Sequence, residues 1–504
     1  MAVPADYGRV KSALRKLSLE ESLAHVWQYS RLVSGGVPLP YGYDHRDRQG
    51  FPRDLKRYLF PHEVDLLARE LLLHADRSGR PCEKSLARWD DLSHALNTIK
   101  EFANDSFDPN VEGGIMLTLH RIAHQQFPRF SRTNGVKLGR YLALYSSVDL
   151  KALFESKLGI SVDAYFILAF ATIASSWQRP RINTETDFAV LGIGGEESSR
   201  FFDRIVGALA DVRVKLIETQ RLNECWEYTF NAIHYKPLVG LDPKHPERVY
   251  CPSPPALERR LTEGVYYDLL STKGFSTAFG QAVEDVSGQM LASLRPKYAV
   301  QRPEKEYIGG QRFDGTDWIV SAEDGIAYVE CKGKRLSLAG AVAEDLDELK
   351  GQLAILAEAV VQNYKNINRA MRRRETDGQV VGQFYCIVIT LEDWFLFSDI
   401  TSKMLHEHVI SKLADAQLSS QLLDTVPYRV LGFEEAMYCC AALLESTMED
   451  VFGLTNSLQF VGVGYINDLK NRFPGVLPHT IGSFDAQFDA LLDPVLAAAS
   501  RSTG

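Results

Sequence analysis

Asp317, Glu330 and Lys332 are the residues whose types and spacing point most directly to chemistry. They sit in two apolar runs, Thr316–Val320 and Ile326–Lys332, separated by Ser321–Gly325, and Asp324-Gly325 between such runs is a hairpin signal. Opposed residues in an antiparallel hairpin have a constant number sum, which leaves two registers. A turn centred on Glu323-Asp324 sets Asp317 opposite Glu330, and one centred on Asp324-Gly325 sets it opposite Lys332. Because strand side chains alternate faces, Glu330 and Lys332 share a face in either register, and an even-numbered loop brings Asp317 onto it. Two carboxylates beside a sheet edge suit Mg²⁺ or Mn²⁺, hard cations held by oxygen ligands. Asp317 and Glu330 would be those ligands. Cys331 points its thiol to the other face, so only its backbone carbonyl could join them. Lys332 would orient or deprotonate an attacking water, or stabilise charge on a phosphoryl group, and such a site hydrolyses phosphodiesters. Asp314 is the rival ligand, although Gly315 beside it favours a turn. The competing reading is a cross-strand ion pair of Asp317 and Lys332, with Glu330 as second partner.

A third carboxylate, Glu284, lies one position off the buried stripe Phe279, Val283, Val286, Met290 of an expected helix Thr277–Leu294. Gly280 and Gly288 flank it by four residues on its own face, so another backbone, a phosphate or a closely packed sheet is expected there. A helix glutamate, then Asp317, then Glu330-Cys331-Lys332 resembles the PD-(D/E)xK, or restriction-endonuclease-like, nuclease superfamily over about residues 266–390. The resemblance implies that Glu284 supports the site, that Asp317 and Glu330 bind divalent metal, and that Lys332 assists the nucleophile. Thr316 stands where the family name has proline. No clear glutamine-x-x-x-tyrosine motif follows the lysine, and Gln352 is at best auxiliary. DNA is the substrate the resemblance favours, with RNA next, and a prokaryotic restriction or antiphage defence component is the setting it suggests. A non-catalytic scaffold or nucleic-acid-binding subunit built on the same fold is the alternative.

The elements that must position these residues read as helix Thr277–Leu294, the hairpin, a long helix from 344 to 374, and a strongly apolar strand Phe384–Thr390. The long helix ends in Lys365, Arg369, Arg372, Arg373 and Arg374; Lys365, Arg369, Arg372 and Arg373 fall on one face. With Lys334 and Arg335 they make the expected nucleic-acid-binding set, although acids first and bases last is also what the helix macrodipole favours. Segments such as 61–75, 85–103 and 150–177 carry apolar residues at helical spacing. The expectation is therefore an α/β chain in three parts: a mainly helical region 1–255 for recognition or sensing, a nuclease core 256–400 with a mixed sheet flanked by helices, and an α/β extension 401–504 ending in a frayed tail. The boundary near 255 rests on five prolines between Gly240 and Ala256.

At 504 residues, with 45% hydrophobic and 24% charged, the chain is neither disordered nor fibrous. Its net charge of −9 excludes general coating of nucleic acid or membrane, so a polyanion must meet a local basic patch. Seven scattered cysteines fit a reducing compartment, and no secretory leader or membrane-length apolar run is legible, which gives the expectation of a cytoplasmic protein. A protein partner or a homo-oligomer stays open. His120 and His124 at i, i+4 lack the glutamate of HExxH, and the Gly192–Gly195 loop lacks a Walker lysine, so both are read as structural.

Overall fold

The computed structural model describes residues 6–46, 49–51, 53–80, 82–105, 114–127, 134–304, 306–308, 311–313, 315–343, 346–377, 382–396, 399–453 and 465–502. Asp314 lies outside them, as do residues 344 and 345. The chain is mixed α/β.

The element carrying Glu284 is α1 (Phe275–Ala292), which starts at Gly274 with a left-handed φ of 83°. It is followed by β1 (Ala299–Gln301), β2 (Trp318–Ala322), β3 (Gly325–Lys332), α2 (Leu346–Thr376), β4 (Phe384–Thr390), β5 (Tyr428–Gly432) and α3 (Phe433–Glu445). The five strands form one sheet in their chain order. β1–β2 and β2–β3 pair antiparallel, whereas β3–β4 and β4–β5 pair parallel. A parallel β3–β4 pair needs a crossover, and α2 supplies it.

Between β2 and β3, Trp318 pairs with Val329 and Ala322 with Gly325, which leaves Glu323-Asp324 as a two-residue turn. This is the first of the two registers, and it continues to set Asp317 across from Glu330. Alternation sorts the sheet into two buried faces. Val320, Ala327, Val329, Cys331, Tyr385, Ile387 and Ile389 share a core with Phe279, Val283 and Val286 of α1. Phe384, Cys386 and Val388 pack instead with Leu353, Leu356, Val360 and Tyr364 of α2. β4 is buried at every residue, as a central parallel strand covered by helices on both sides must be.

Upstream, residues 7–240 contain helices as expected, but the apolar stretch 150–177 is two helices, Val148–Leu158 and Val162–Gln178, broken where Gly159 adopts φ 68°. A second sheet of three-residue strands, ordered Arg181–Asn183, Arg248–Tyr250, Leu238–Gly240 and Val206–Ala208, was not expected. Strands that short carry too few residues to show a period.

The proline-rich stretch before 256 is partly ordered into elements. It contains one of those strands, Cys251–Pro254 are buried, and Ser253 caps the helix Pro254–Leu261, whose first residue is a proline. One hydrophobic core runs from Leu138 to Leu492 across this point. The tail is a helix, Phe484–Ser502, laid against Gly135–Tyr145; a Cβ at Gly139 would fall 1.8 Å from the Phe484 carbonyl oxygen, so only glycine admits this approach. Among the described residues no single helix is long and apolar enough to cross a membrane.

Candidate active site

The end of β3 opens where β2 begins. Asp317 Oδ2 accepts the backbone N–H of Cys331 at 2.7 Å, which fixes one carboxylate against the strand bearing the other two charges. Lys332 Nζ lies 2.6 Å from Glu330 Oε1, with Glu330 buried and Lys332 about one-third exposed. Glu330 Oε2 is buried and has no hydrogen-bond partner. A buried carboxylate oxygen without a donor is costly unless something cationic reaches it.

The electrostatics follow from this crowding. Burial raises the Glu330 carboxyl to about 7; Lys332 opposes the shift, while Asp317 and Glu284 add to it. Asp317 is raised chiefly by burial, against the Cys331 N–H and the charges of Lys332 and Arg302. Burial works against the Lys332 ammonium, yet Glu330 and Asp317 outweigh it and hold its pKa above the ordinary lysine value. Carboxylates held together with raised pKa values are a pattern that marks candidate functional sites.

Glu284 stands beside these groups on α1, and its carboxyl is raised first by burial and then by Asp317. Its Oε2 is engaged by Arg302 Nη2 at 2.5 Å and by Gln281 Nε2 at 3.2 Å, and Arg302 also reaches Asp285 at 3.0 Å. Arg302, on the segment after β1, was not singled out from sequence, because nothing in its spacing places it near a helix two elements away. The two glycines of α1 divide in role. A Cβ at Gly288 would fall 2.0 Å from Trp318 Cζ2, so this glycine admits the indole next to Asp317, and Trp318 Nε1 donates to the Glu284 carbonyl at 3.0 Å. Gly280 faces open space.

Thr316 is buried and donates to the Val329 carbonyl at 2.7 Å, with Asn363 Oδ1 at 2.8 Å from the same hydroxyl. Asn363, fully buried on α2, donates through Nδ2 to the carbonyls of Tyr328 at 3.1 Å and Ile387 at 2.8 Å. One amide thus ties β3, β4 and the residue before Asp317 to the crossover helix. The sequence signal was available, since a lone asparagine in the apolar stripe of an amphipathic helix needs partners.

The Cys331 thiol is buried in the α1-side core, so its metal role reduces to the backbone carbonyl. Lys334 is exposed. Arg335 does not face solvent as expected of a phosphate contact: it is 4% exposed, lies 3.0 Å from Glu392, donates to the Glu263 carbonyl at 2.5 Å and stacks 4.5 Å over Tyr266. Glu263 in turn holds Lys137 at 2.6 Å and Arg259 at 3.0 Å. A lysine-arginine run reads as surface charge, but alternation turns the second side chain inward.

Of the α2 basic set, Lys365, Arg372 and Arg373 are exposed and Arg369 half-buried, but they lie away from the carboxylates. Asn363 is level with Tyr328, and roughly 16 Å of helix beyond it leads to Arg374, whose guanidinium lies 5.7 Å over the ring of Phe384, the first residue of β4. A crossover helix runs back along the sheet, so its C-terminus returns to the hairpin end. His120 Nε2 lies 3.0 Å from the Gly340 carbonyl, and His124 packs 4.9 Å from the Phe395 ring.

Among the described residues no three His, Cys, Asp or Glu side chains are gathered as a metal-binding cluster. Asp317 and Glu330 offer two carboxylates, and the partnerless Glu330 Oε2 is the feature that fits a hard cation. No family model matches the chain, and no match is found among curated proteins or solved structures.

Proposed function

We propose that this chain is a Mg²⁺- or Mn²⁺-dependent nuclease of the PD-(D/E)xK type, with DNA favoured over RNA as substrate. The reading is supported above all by the convergence of Asp317, Glu330 and Lys332 at the end of β3, with one Glu330 oxygen buried and unpartnered. A helix, three antiparallel strands, a crossover helix and a parallel strand frame that point, which is the order the resemblance implies.

Asp317, Glu330 and the Cys331 carbonyl would hold the cation, which when bound polarises the phosphoryl centre and lowers the pKa of water. Lys332, held by Glu330, donates to the attacked phosphate or orients the water. Glu284, held by Arg302, adds negative charge beside Asp317. Asn363 and Thr316 keep Asp317 in register with Glu330.

The test is cleavage of plasmid, linear duplex, single-stranded DNA and RNA in Mg²⁺, Mn²⁺ or EDTA. Metal-dependent products that vanish in Lys332→Ala and Glu330→Ala are expected. Full cleavage by either variant would refute the assignment.

A further inference from the structure

The described residues between 36 and 60, after the helix Leu19–Gly35, are pinned to the N-terminal helices. Leu55 and Leu59 are buried, Tyr43 Oη lies 2.6 Å from His25 Nδ1, and His45 Nε2 lies 2.8 Å from Tyr29 Oη. Backbone bonds from Asp44 to Ala87, Trp89 to Asp44 and Arg53 to His45 hold the loop at 3.0, 2.9 and 3.0 Å. A segment so anchored has no need of rings in water. Yet Tyr41 is fully exposed, Phe51 is 65% exposed, Tyr58 46% and Phe60 41%, which makes four of the seven exposed large aromatic side chains among the described residues.

Cations are interleaved with these rings. Arg46, Lys56 and Arg57 are exposed, and Arg53 lies 4.9 Å over the Trp89 ring, which Tyr58 also meets edge-on at 5.6 Å. Arg57 contacts Asp54 at 3.2 Å, a solvent-screened pair that a phosphate can displace.

The rings lead toward the carboxylates. Phe60 stacks on His62 at 5.9 Å, and His62 Nε2 lies 3.4 Å from Gln126 Nε2 on the helix Gly114–Gln126. Arg121 of that helix donates to the carbonyls of Val342 at 2.7 Å and Ala343 at 3.2 Å, on the segment after Lys332. Next to it, the half-exposed Phe127 meets Phe395, beyond the end of β4, at 5.5 Å.

We infer that Tyr58 and Phe60, with Lys56 and Arg57, form a stacking platform for single-stranded nucleic acid. Rings fixed beside cations offer faces to unpaired bases and charge to the backbone, a combination that is tolerant of sequence. A duplex hides its base faces and gains only the charge contacts. The inference deepens the nuclease reading by naming the strandedness of its substrate, and rests on that reading only for the strand's destination.

The test is fluorescence anisotropy of the full chain in EDTA with labelled oligo-dT, oligo-U and a duplex, each about 20 nucleotides long, a length that spans one such platform. Wild type is expected to prefer single strands, with the dT and U arms telling DNA from RNA. Tyr58→Ala with Phe60→Ala is expected to weaken single-strand binding about tenfold or more while leaving duplex binding unchanged. Lys56→Glu with Arg57→Glu is expected to weaken both and flatten the salt dependence. All four side chains are exposed, so an unchanged circular-dichroism melt confirms that the fold is kept. Equal binding of single strand and duplex, or no loss in the ring variant, overturns the inference. So does binding of anionic vesicles without binding of oligonucleotide. Ring-independent binding with metal-dependent cleavage intact sinks this inference alone; ring-dependent binding without cleavage on any substrate sinks the nuclease reading alone.

Discussion

Replacing Asn363 by leucine keeps the branching and number of side-chain heavy atoms and removes every polar contact the amide makes. Its Nδ2 serves the carbonyls of Tyr328 and Ile387, and its Oδ1 meets the Thr316 hydroxyl, all at 2.8 to 3.1 Å and out of water. A buried polar group stripped of its partner costs about 1–3 kcal/mol, and the two carbonyls keep a second lone pair for the strand ladder, so the lower end applies to each. The apolar gain of leucine offsets part of this. A net loss of about 1–2 kcal/mol is expected from urea unfolding followed by tryptophan fluorescence. Thr316→Val alone leaves the amide its two carbonyls and costs about 1 kcal/mol. Because the two side chains share one contact, the double variant loses less than the sum, by about 0.5–1.5 kcal/mol. Thr316 precedes Asp317, so Asn363→Leu also weakens Mg²⁺ or Mn²⁺ binding measured by calorimetry. Additive losses, or a destabilised variant with unaltered metal affinity, would refute the view that this amide positions Asp317.

Two further outcomes follow from buried charge. The Glu330 carboxyl titrates near 7 when folded, above its unfolded value of about 4.5, so in EDTA its contribution to stability is fully present below the unfolded pKa and is lost as pH rises through about 7. Glu330→Gln removes that loss: its unfolding free energy from urea titration exceeds that of wild type at about pH 8.5 by up to about 3 kcal/mol and matches it at about pH 4; equal differences at the two pH values would refute the reading. Arg335→Met leaves the partly exposed Glu392 without its 3.0 Å partner and the Glu263 carbonyl without its donor, and is expected to cost about 1–3 kcal/mol by the same assay. The salt dependence of nucleic-acid binding is expected to stay as in wild type, and a flattened slope would return Arg335 to the phosphate-contacting set.

The parts of this molecule written in short-range pattern were legible. Phe384–Thr390 is a strand from end to end because six apolar residues, rich in β-branched and aromatic side chains and closed by a threonine, admit little else, and the β2–β3 hairpin followed from Asp324-Gly325 and alternation. Choosing between the two registers needed Tyr385, against which Gly325 packs so closely that a Cβ would lie 2.8 Å from its ring. The residues that missed their expectation depend on contacts distant in sequence. Arg335 is turned inward by Glu263 and Glu392, and the basic end of α2 sits far from Glu330 because a crossover reverses direction. The proline-rich stretch before 256 carries a short strand and a helix start because proline excludes a helix interior or a central strand, not the flank of a strand or a first turn.

The core shared from Leu138 to Leu492 bears on how this molecule came to be assembled and can be taken apart. A modular enzyme can be recombined by joining parts at a hydrophilic seam. Here a cut at 255 would bare the apolar faces of Phe154, Phe166 and Phe201 on one fragment and of Leu257, Phe279 and Val283 on the other. It would also part Lys137 from Glu263 and strand both charges in new surroundings. Grafting this strand end onto another scaffold would therefore carry the helices from Gly135 onward with it, because they share its core.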